Sequence, residues 1–426
     1  MTNAKFPLVA LRRFVKINPN VVLPTKGEVE YLPMEKVRSG FFEHFVADIS
    51  TLPSSLNAFA EGDVLMAKVT PCFENGNLCL ASNICNQVGC CSTELFVLRP
   101  NTTLVLPEYL LFLLQAEEFK QTATKYMRGA GGLKRIPTDW LLNYKFPLPS
   151  LDVQAAILRV LHYVESKIQS INDAYHHKIE KLSEYRKSLI TRVVTKGLDP
   201  NVEMKDSGYE WIGQIPKHWN IARVGVLYRL SNGLSKSGES FGHGLPFLTY
   251  GDAYKSTFTP KKLSGLVETT TSERVNYSVK RGDVFFTRTS ETVEEIGLSS
   301  TCLKDIPDGT FAGFLIRARP LTTLVTPEFA GFYFRSQCHR PFFIKEMNLV
   351  TRASLSQGLL SNLPVLIPPL EEQNQIYQYL LESCQNVDSI SANLRKTIEE
   401  LDEYRSSLIS AAVTGKLNIE EVTHGE

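Results

Sequence analysis

The chain has 426 residues, 43% hydrophobic and 21% charged, with eight cysteines; that suits two or three ordinary soluble domains and excludes a disulfide scaffold. Its net charge of +1 argues against a uniformly basic nucleic-acid binder, but the charge is uneven: residues 1–360 carry +8 and residues 361–426 carry −7. That asymmetry permits phosphate contact upstream, and at the acidic end either a different partner or a plain solvated helix.

In chain order, the opening stretch MTNAKFPLVALRRFVKINPN holds no apolar block fit for a signal peptide. The longest apolar run, LVLPEYLLFLLQ, is broken by Pro107 and Glu108 and is too short to span a bilayer. A cytoplasmic location is expected. Residues 1–150 read as a first globular domain. Cys72, Cys79, Cys85, Cys90 and Cys91 cluster there without the two C-x2–4-C pairs that zinc requires, so no metal is expected.

A proline-rich stop, FPLPSLDVQ, then opens a long helix over 151–196. Its apolar residues recur at steps of three and four: Ile157, Leu161, Val164, Ile168, Ile171, Tyr175, Ile179, Leu182, Tyr185 and Leu189. A turn-rich linker, KGLDPNVEMKDSGYEWIGQIPKHW, leads into a second globular domain, the two together filling 197–366. A second stop, IPPLEEQ, opens a second helical region over 367–426, striped by Ile376, Leu380, Val387, Ile390, Leu394, Ile398, Leu401, Tyr404 and Leu408. Each stripe approximates a heptad seam on a helix of roughly 40 residues, ~60 Å long. Packing one seam on the other, as an antiparallel pseudo-twofold coiled coil, is the simplest way to dry both.

The two helices repeat. EYRKSLITRVVTKGL from Glu184 returns 219 residues later as EYRSSLISAAVTGKL from Glu403, with nine of fifteen positions identical and no gap. At the same offset Pro149 meets Pro368 and Gln154 meets Gln373. The globular segments repeat more weakly: EGDVLMAKVTPCFENG from Glu61 precedes RGDVFFTRTSETVEEIG by 220 residues, and LRPNTTLVLPEY aligns with ARPLTTLVTPEF. The layout is globular domain, long helix, globular domain, long helix.

Catalytic signatures are missing. No G-x-x-x-x-G-K-[ST], G-x-S-x-G or H-E-x-x-H occurs, nor an Asp/Asn-Pro-Pro-aromatic motif beside a glycine-rich loop. The chain alone is expected to be no enzyme. Two related domains on a rigid spacer instead suit two stretches of one long ligand, and duplex DNA, with half-sites about 34 Å apart per turn, fits that reach. Candidate contacts lie in loops. KYMRGAGGLKRIP sets Lys125, Arg128, Lys134 and Arg135 around small residues that let the backbone approach phosphates. FTRTSET offers Arg288, Thr289 and Ser290, its counterpart MAKVTPCFENG offers Lys68, Thr70 and Asn75, and Arg352 sits in LVTRASLSQG. Arginine reads guanine bidentately, and hydroxyls hold phosphate.

These marks together resemble the specificity (S) subunit of Type I restriction–modification systems, chiefly through IPPLEEQNQI before EYRSSLISAAVTGKL, and through DSGYEWIGQIPKHW, KVTPCFENG and FTRTSETVEEIG. The resemblance covers essentially the whole chain. It implies an α+β fold in which two α+β target-recognition domains, each binding half of a bipartite, asymmetric DNA site, alternate with two conserved helical regions that pair as an antiparallel coiled coil and set the half-site spacing. Those helices would dock two methyltransferase (M) subunits that methylate adenine with S-adenosylmethionine, with Tyr185, Arg186, Tyr404 and Arg405 as the docking candidates. Motor–nuclease (R) subunits would join with ATP and magnesium to cleave unmodified DNA in phage defence. No cofactor is expected on this chain itself. One departure is visible: the first helix opens with PSLDVQ where the second has PPLEEQ. The readings from other classes are a coiled-coil protein-interaction scaffold without DNA binding, and a self-contained restriction enzyme or methyltransferase.

Overall fold

The computed structural model describes residues 6–130, 132–290, 296–346 and 353–417. It divides into two compact units, one of Met1–His176 with Leu394–Glu426 and the other of His177–Asn393. The long helices Leu151–Lys196 and Leu370–Val413 are each shared between the units. The unit boundaries therefore cut through the helices, whereas the sequence places domain boundaries at the helix ends.

In the first unit, the central sheet runs in the order Val15–Ile17, Leu95–Pro100, Val64–Ala67, Leu78–Leu80, Ser39–Gly40. Val64–Ala67 is wholly buried and follows the Gly62–Asp63 turn, so it reads as a continuous apolar run without alternation. A second sheet, Val46–Asp48, Glu28–Leu32, Val88–Cys91, Asn57–Ala60, lies beside it in the chain order. The helix Pro107–Gln115, with proline at its start, buries six successive residues from Tyr109 to Leu114 in the core. Ile157, Leu158 and Leu161 of the first long helix and Ile409, Ala412 and Val413 of the second belong to that same core.

In the second unit, the matching sheet runs Tyr228–Asn232, Leu315–Pro320, Val284–Thr287, Ser299–Thr301. Its register is the same: Leu95 pairs Ala67 and Leu98 pairs Val64 in one unit, Leu315 pairs Thr287 and Ala318 pairs Val284 in the other. The side-chain ties repeat too. Asp63 accepts two bonds from Arg99, both 2.7 Å, and Asp283 accepts two from Arg319 at 2.7 and 2.6 Å. Gln154 is fully buried; its amide donates to the Leu104 and Pro149 carbonyls and its carbonyl accepts from Leu106 N–H, each at 2.9 Å. Gln373, equally buried, does the same with Leu324, Pro368 and Thr326, each at 2.8 Å. A buried amide left without partners would cost more than these bonds contribute, which explains two invariant glutamines between diverged repeats.

The helices pair antiparallel within each unit. Glu165 meets Arg405 and Asn172 faces Asp402 at 3.5 Å in the first; Arg186 meets Asp388 at 3.2 Å in the second. The seam differs from the sequence expectation at four positions. Ile171, Tyr185, Ile390 and Tyr404 are 40%, 55%, 46% and 56% exposed. Asn172, Arg186, Ser391 and Arg405, one residue further on, are half-buried instead. The reason is geometric: an unbroken 3–4 alternation through Ile168, Tyr175, Ile179, Leu182 and Leu189 passes through residues 172 and 186, and hydrophobicity cannot pull a rigid helix out of phase.

The segment read as a linker is part of the second unit. Met204–Asp206 and Gln214–Pro216 form an antiparallel hairpin, and Ile215 and Trp219 are fully buried. Glu372 accepts from Trp219 Nε1 at 3.0 Å and lies 2.8 Å from His218 Nε2. The residue matching Glu372 in the first helix is Val153, which packs on the first core. The difference between PSLDVQ and PPLEEQ thus follows a hairpin that the second helix anchors and that, among the described residues, has no counterpart at the first.

Among the described residues, no helix is long and apolar enough to cross a membrane, and no group of His, Cys, Asp and Glu could hold a metal. Burial pushes the Cys79 thiol up to about 12 and also raises Cys91.

Candidate nucleic-acid interface

In the first unit, two candidate stretches more than 60 residues apart are laced together by backbone. Thr70 N–H donates to Lys134 C=O at 3.0 Å and Ile136 N–H donates to Lys68 C=O at 2.9 Å, with Val69 bridging Arg135. The Thr70 hydroxyl donates to Gly132 C=O at 2.7 Å and accepts from Lys134 N–H at 2.9 Å. Thr70 is thereby committed to holding the glycine-rich loop in place. Arg128 and Arg135 exchange backbone bonds of 2.9 and 2.8 Å, closing that loop as a narrow hairpin.

Lys125, Arg128, Lys134 and Arg135 are all exposed on it. Arg135 is spoken for: it grips Glu94 through two bonds of 2.9 and 3.2 Å. The arginine's hydrogen bond holds the Glu94 carboxyl below its usual range, and Arg135 is raised in turn. Lys68 adds to the same field on Glu94 and lies 5.8 Å over the Phe96 ring. Among the described residues, Lys125, Arg128 and Lys134 have no ion-pair partner, so they carry the net positive charge of this surface. Asn75 is exposed in the turn that follows, its N–H bonded to Pro71 C=O at 2.9 Å. Tyr126, absent from the sequence candidates, is 51% exposed and stacks on Trp140 at 5.3 Å. An exposed aromatic between two cations was the available signal.

In the second unit, Arg288 occupies the place of Lys68. Its N–H donates to Phe314 C=O at 3.0 Å and its C=O accepts from Leu355 N–H at 2.8 Å. Lys68 has the same two bonds, its N–H donating to Glu94 C=O at 3.1 Å. Thr289 and Ser290 form a short strand with Ala353–Ser354, the counterpart of Val69 with Arg135. Arg288 and Thr289 are half-buried. Arg352 lies outside the described residues, as does the Ser290 side chain. Several other arginines of this unit turn inward. Arg317 donates to Ser278 C=O at 2.8 Å, Arg335 to Ala253 and Ser299 C=O at 3.0 Å, and Arg319 to Asp283 at 2.6 Å. The sequence count of positive charge therefore overstates what this unit shows to a ligand.

On the helices, Tyr185 and Tyr404 are exposed at matching places. Arg186 and Arg405 instead bridge helix to helix through Asp388 and Glu165.

Residues 48–181 and 232–400 match the family described as Type I restriction modification DNA specificity domain. The chain is similar to the specificity subunit of the EcoAI type I restriction enzyme of Escherichia coli, 32% identical over 152 residues, which is 35% of this chain and 26% of that subunit. That match therefore spans about a quarter of the relative's length. A longer one, 21% identical, covers 93% of this chain and 88% of the MjaVIII specificity subunit of Methanocaldococcus jannaschii. Among solved structures, a chain of a type I R-M system has a TM-score of 0.72 at 18% identity over 97% of this chain and 98% of that one. The HsdS subunit from Thermoanaerobacter tengcongensis has a TM-score of 0.55 at 19% identity, covering 98% of both chains.

Proposed function

The chain belongs to the type I restriction–modification DNA specificity family, and on that basis we propose that it is the non-catalytic subunit that chooses the DNA sequence. Each unit reads one half of a bipartite, asymmetric site in double-stranded DNA. The observation that carries this reading is the shared backbone frame that displays Lys68, with the Lys125–Arg135 loop, in one unit and Arg288 in the other. Unpaired cations on a loop rich in small residues suit phosphate contact, and an arginine at the end of a buried strand suits a guanine edge.

Two methyltransferase subunits would dock on the helices. Each unit exposes one isoleucine and one tyrosine of the helix pair, Ile171 with Tyr404 and Ile390 with Tyr185. Identical partners require equivalent surfaces, and exchanging halves of two repeated helices supplies them. Adenine methylation with S-adenosylmethionine, and cleavage with ATP and magnesium by restriction subunits, would belong to those partners in the cytoplasm. The test is to map DNA methylation in cells with and without the gene. Loss of adenine methylation at one split motif is expected. An unchanged methylome, together with no duplex binding by the purified chain, would replace this reading with that of a protein scaffold.

A further inference from the structure

The frame around Lys68 and Arg288 has a third strand of chain, and it is where the units diverge most sharply. In both it is a tight turn closed by an i to i+3 bond: Leu95 N–H to Ser92 C=O at 3.0 Å, and Leu315 N–H to Ala312 C=O at 3.0 Å. The third residue of each turn accepts the amide of the candidate cation, Glu94 from Lys68 and Phe314 from Arg288. Glu94 folds back onto Arg135. Phe314 is 64% exposed.

Hydrophobic collapse does not account for Phe314. Its neighbours Ala312, Leu315 and Ile316 are all buried, so this turn had a core within reach and turned its aromatic ring away. The turn is also well held. Gly313 N–H donates to Leu234 C=O at 2.8 Å, and a Cβ on Gly233 would sit 2.1 Å from Ala312 O, so only glycine admits that approach. A large apolar group on a fixed turn, one residue's breadth from an arginine, has the makings of a reader.

Resting on the DNA-reading function above, we propose that Phe314 is a specificity-determining residue of the second unit, making an apolar contact to a base edge next to the base pair that Arg288 meets. The chemistry that fits is the thymine C5-methyl group, the one apolar feature a base pair offers in the major groove. In the first unit Glu94 fills the same place and restrains Arg135, so the two half-sites differ at this position because one turn displays a ring and the other a carboxylate.

The experiment is methylome mapping in the native host with Phe314→Ala and Phe314→Leu in place of the wild-type gene. With Phe314→Ala, the motif keeps one half-site intact and loses its preference for a T:A pair at one position of the other, by roughly tenfold, the scale of one base-edge contact. Phe314→Leu retains part of that preference. A motif unchanged in both variants overturns the proposal, and so does uniform loss of methylation at every site with no base pair relaxed. Thermal unfolding separates the second outcome from misfolding, because truncating a side chain this exposed leaves Tm near the wild-type value. If the wild-type gene directs no methylation and the purified chain binds no duplex, the DNA-reading function itself falls, before any variant is scored; if the chain binds duplex, the same preference at one position is scored by binding instead.

Discussion

Around Lys68 and around Arg288 the two units run their backbones through the same bonds, yet the side chains on those backbones are a lysine, a glutamate and an arginine in one unit and an arginine, a phenylalanine and a serine in the other. At three other places the units keep their side chains. Asp63 and Asp283, Arg99 and Arg319, and Gln154 and Gln373 are identical pairs: each aspartate accepts a turn N–H and two bonds from its arginine, and each glutamine donates to loop carbonyls. The difference separates two jobs. Where a side chain supplies the bond that shapes the chain, it stays. Where main chain holds main chain, the side chain is free to change what the surface reads.

The strongest challenge to that division is removal of the shaping carboxylates. Asp63→Ala and Asp283→Ala each leave a guanidinium half-buried without its partner and an amide, of Ala60 or Lys280, unbonded. Each should cost about 3 kcal/mol, equally in the two units. Denaturant titration with hydrogen exchange resolved by unit reads both, and a cost below about 1 kcal/mol in either would show that the backbone frame stands without it.

On the reading side, Arg288→Ala and Arg128→Ala should leave stability unchanged and weaken duplex binding by about 1–3 kcal/mol where the arginine meets a base. Arg128 sits on a loop of unpaired cations, so its loss should instead act evenly across sequences and lower the salt slope of binding by about one. Equal behaviour of the two variants would erase the contrast between a base reader and a phosphate holder.

Acid separates the units through one core position. Where the first unit buries Phe119, the second buries His339, whose Nε2 donates to Tyr333 C=O at 2.9 Å. Burial pushes the imidazole down to about 3, so the folded unit keeps it neutral. Above the unfolded-state value, about 6.5, neither state gains a proton and its stability contribution is intact. Below that value the unfolded chain takes up a proton the folded chain refuses, and stability falls by up to ~1.4 kcal/mol per pH unit until pH approaches 3. The stability difference between wild type and His339→Phe should therefore move in favour of the variant as pH falls from 7 to 5. A difference that does not change with pH would mean that His339 is protonated in the fold.

The smallest effects concern the helix pair. Arg405→Ala should cost slightly more than Arg186→Ala, because Glu165 is 24% exposed and Asp388 is 62% exposed, with both costs under about 1 kcal/mol. The reverse order in a denaturation series would show that the pair in the second unit is the tighter one.

Much of this arrangement was legible in the residues. The helices, their pairing and the weak domain repeat follow from spacing alone, and an offset of 220 already sets Lys68 on Arg288 and Glu94 on Phe314. What spacing could not settle was phase. A seam that prefers Ile171 and Tyr185 by hydrophobicity runs through Asn172 and Arg186, because a helix turns as a rigid body. Nor could residue order reveal that Arg317 and Arg335 spend their charge on buried carbonyls, or that Ile212, Ile215 and Trp219 of the turn-rich segment join the core.

The first unit's core includes Ile409, Ala412 and Val413, while the second unit is one uninterrupted segment of chain. On the ribosome, then, the part made first is finished last. Residues 1–176 must wait, their apolar surface uncovered, through the synthesis of the entire second unit before the final helix arrives to close them. A stop codon shortly after Asn393 would accordingly damage the more distant unit most, stripping the one made earlier and sparing the one just completed.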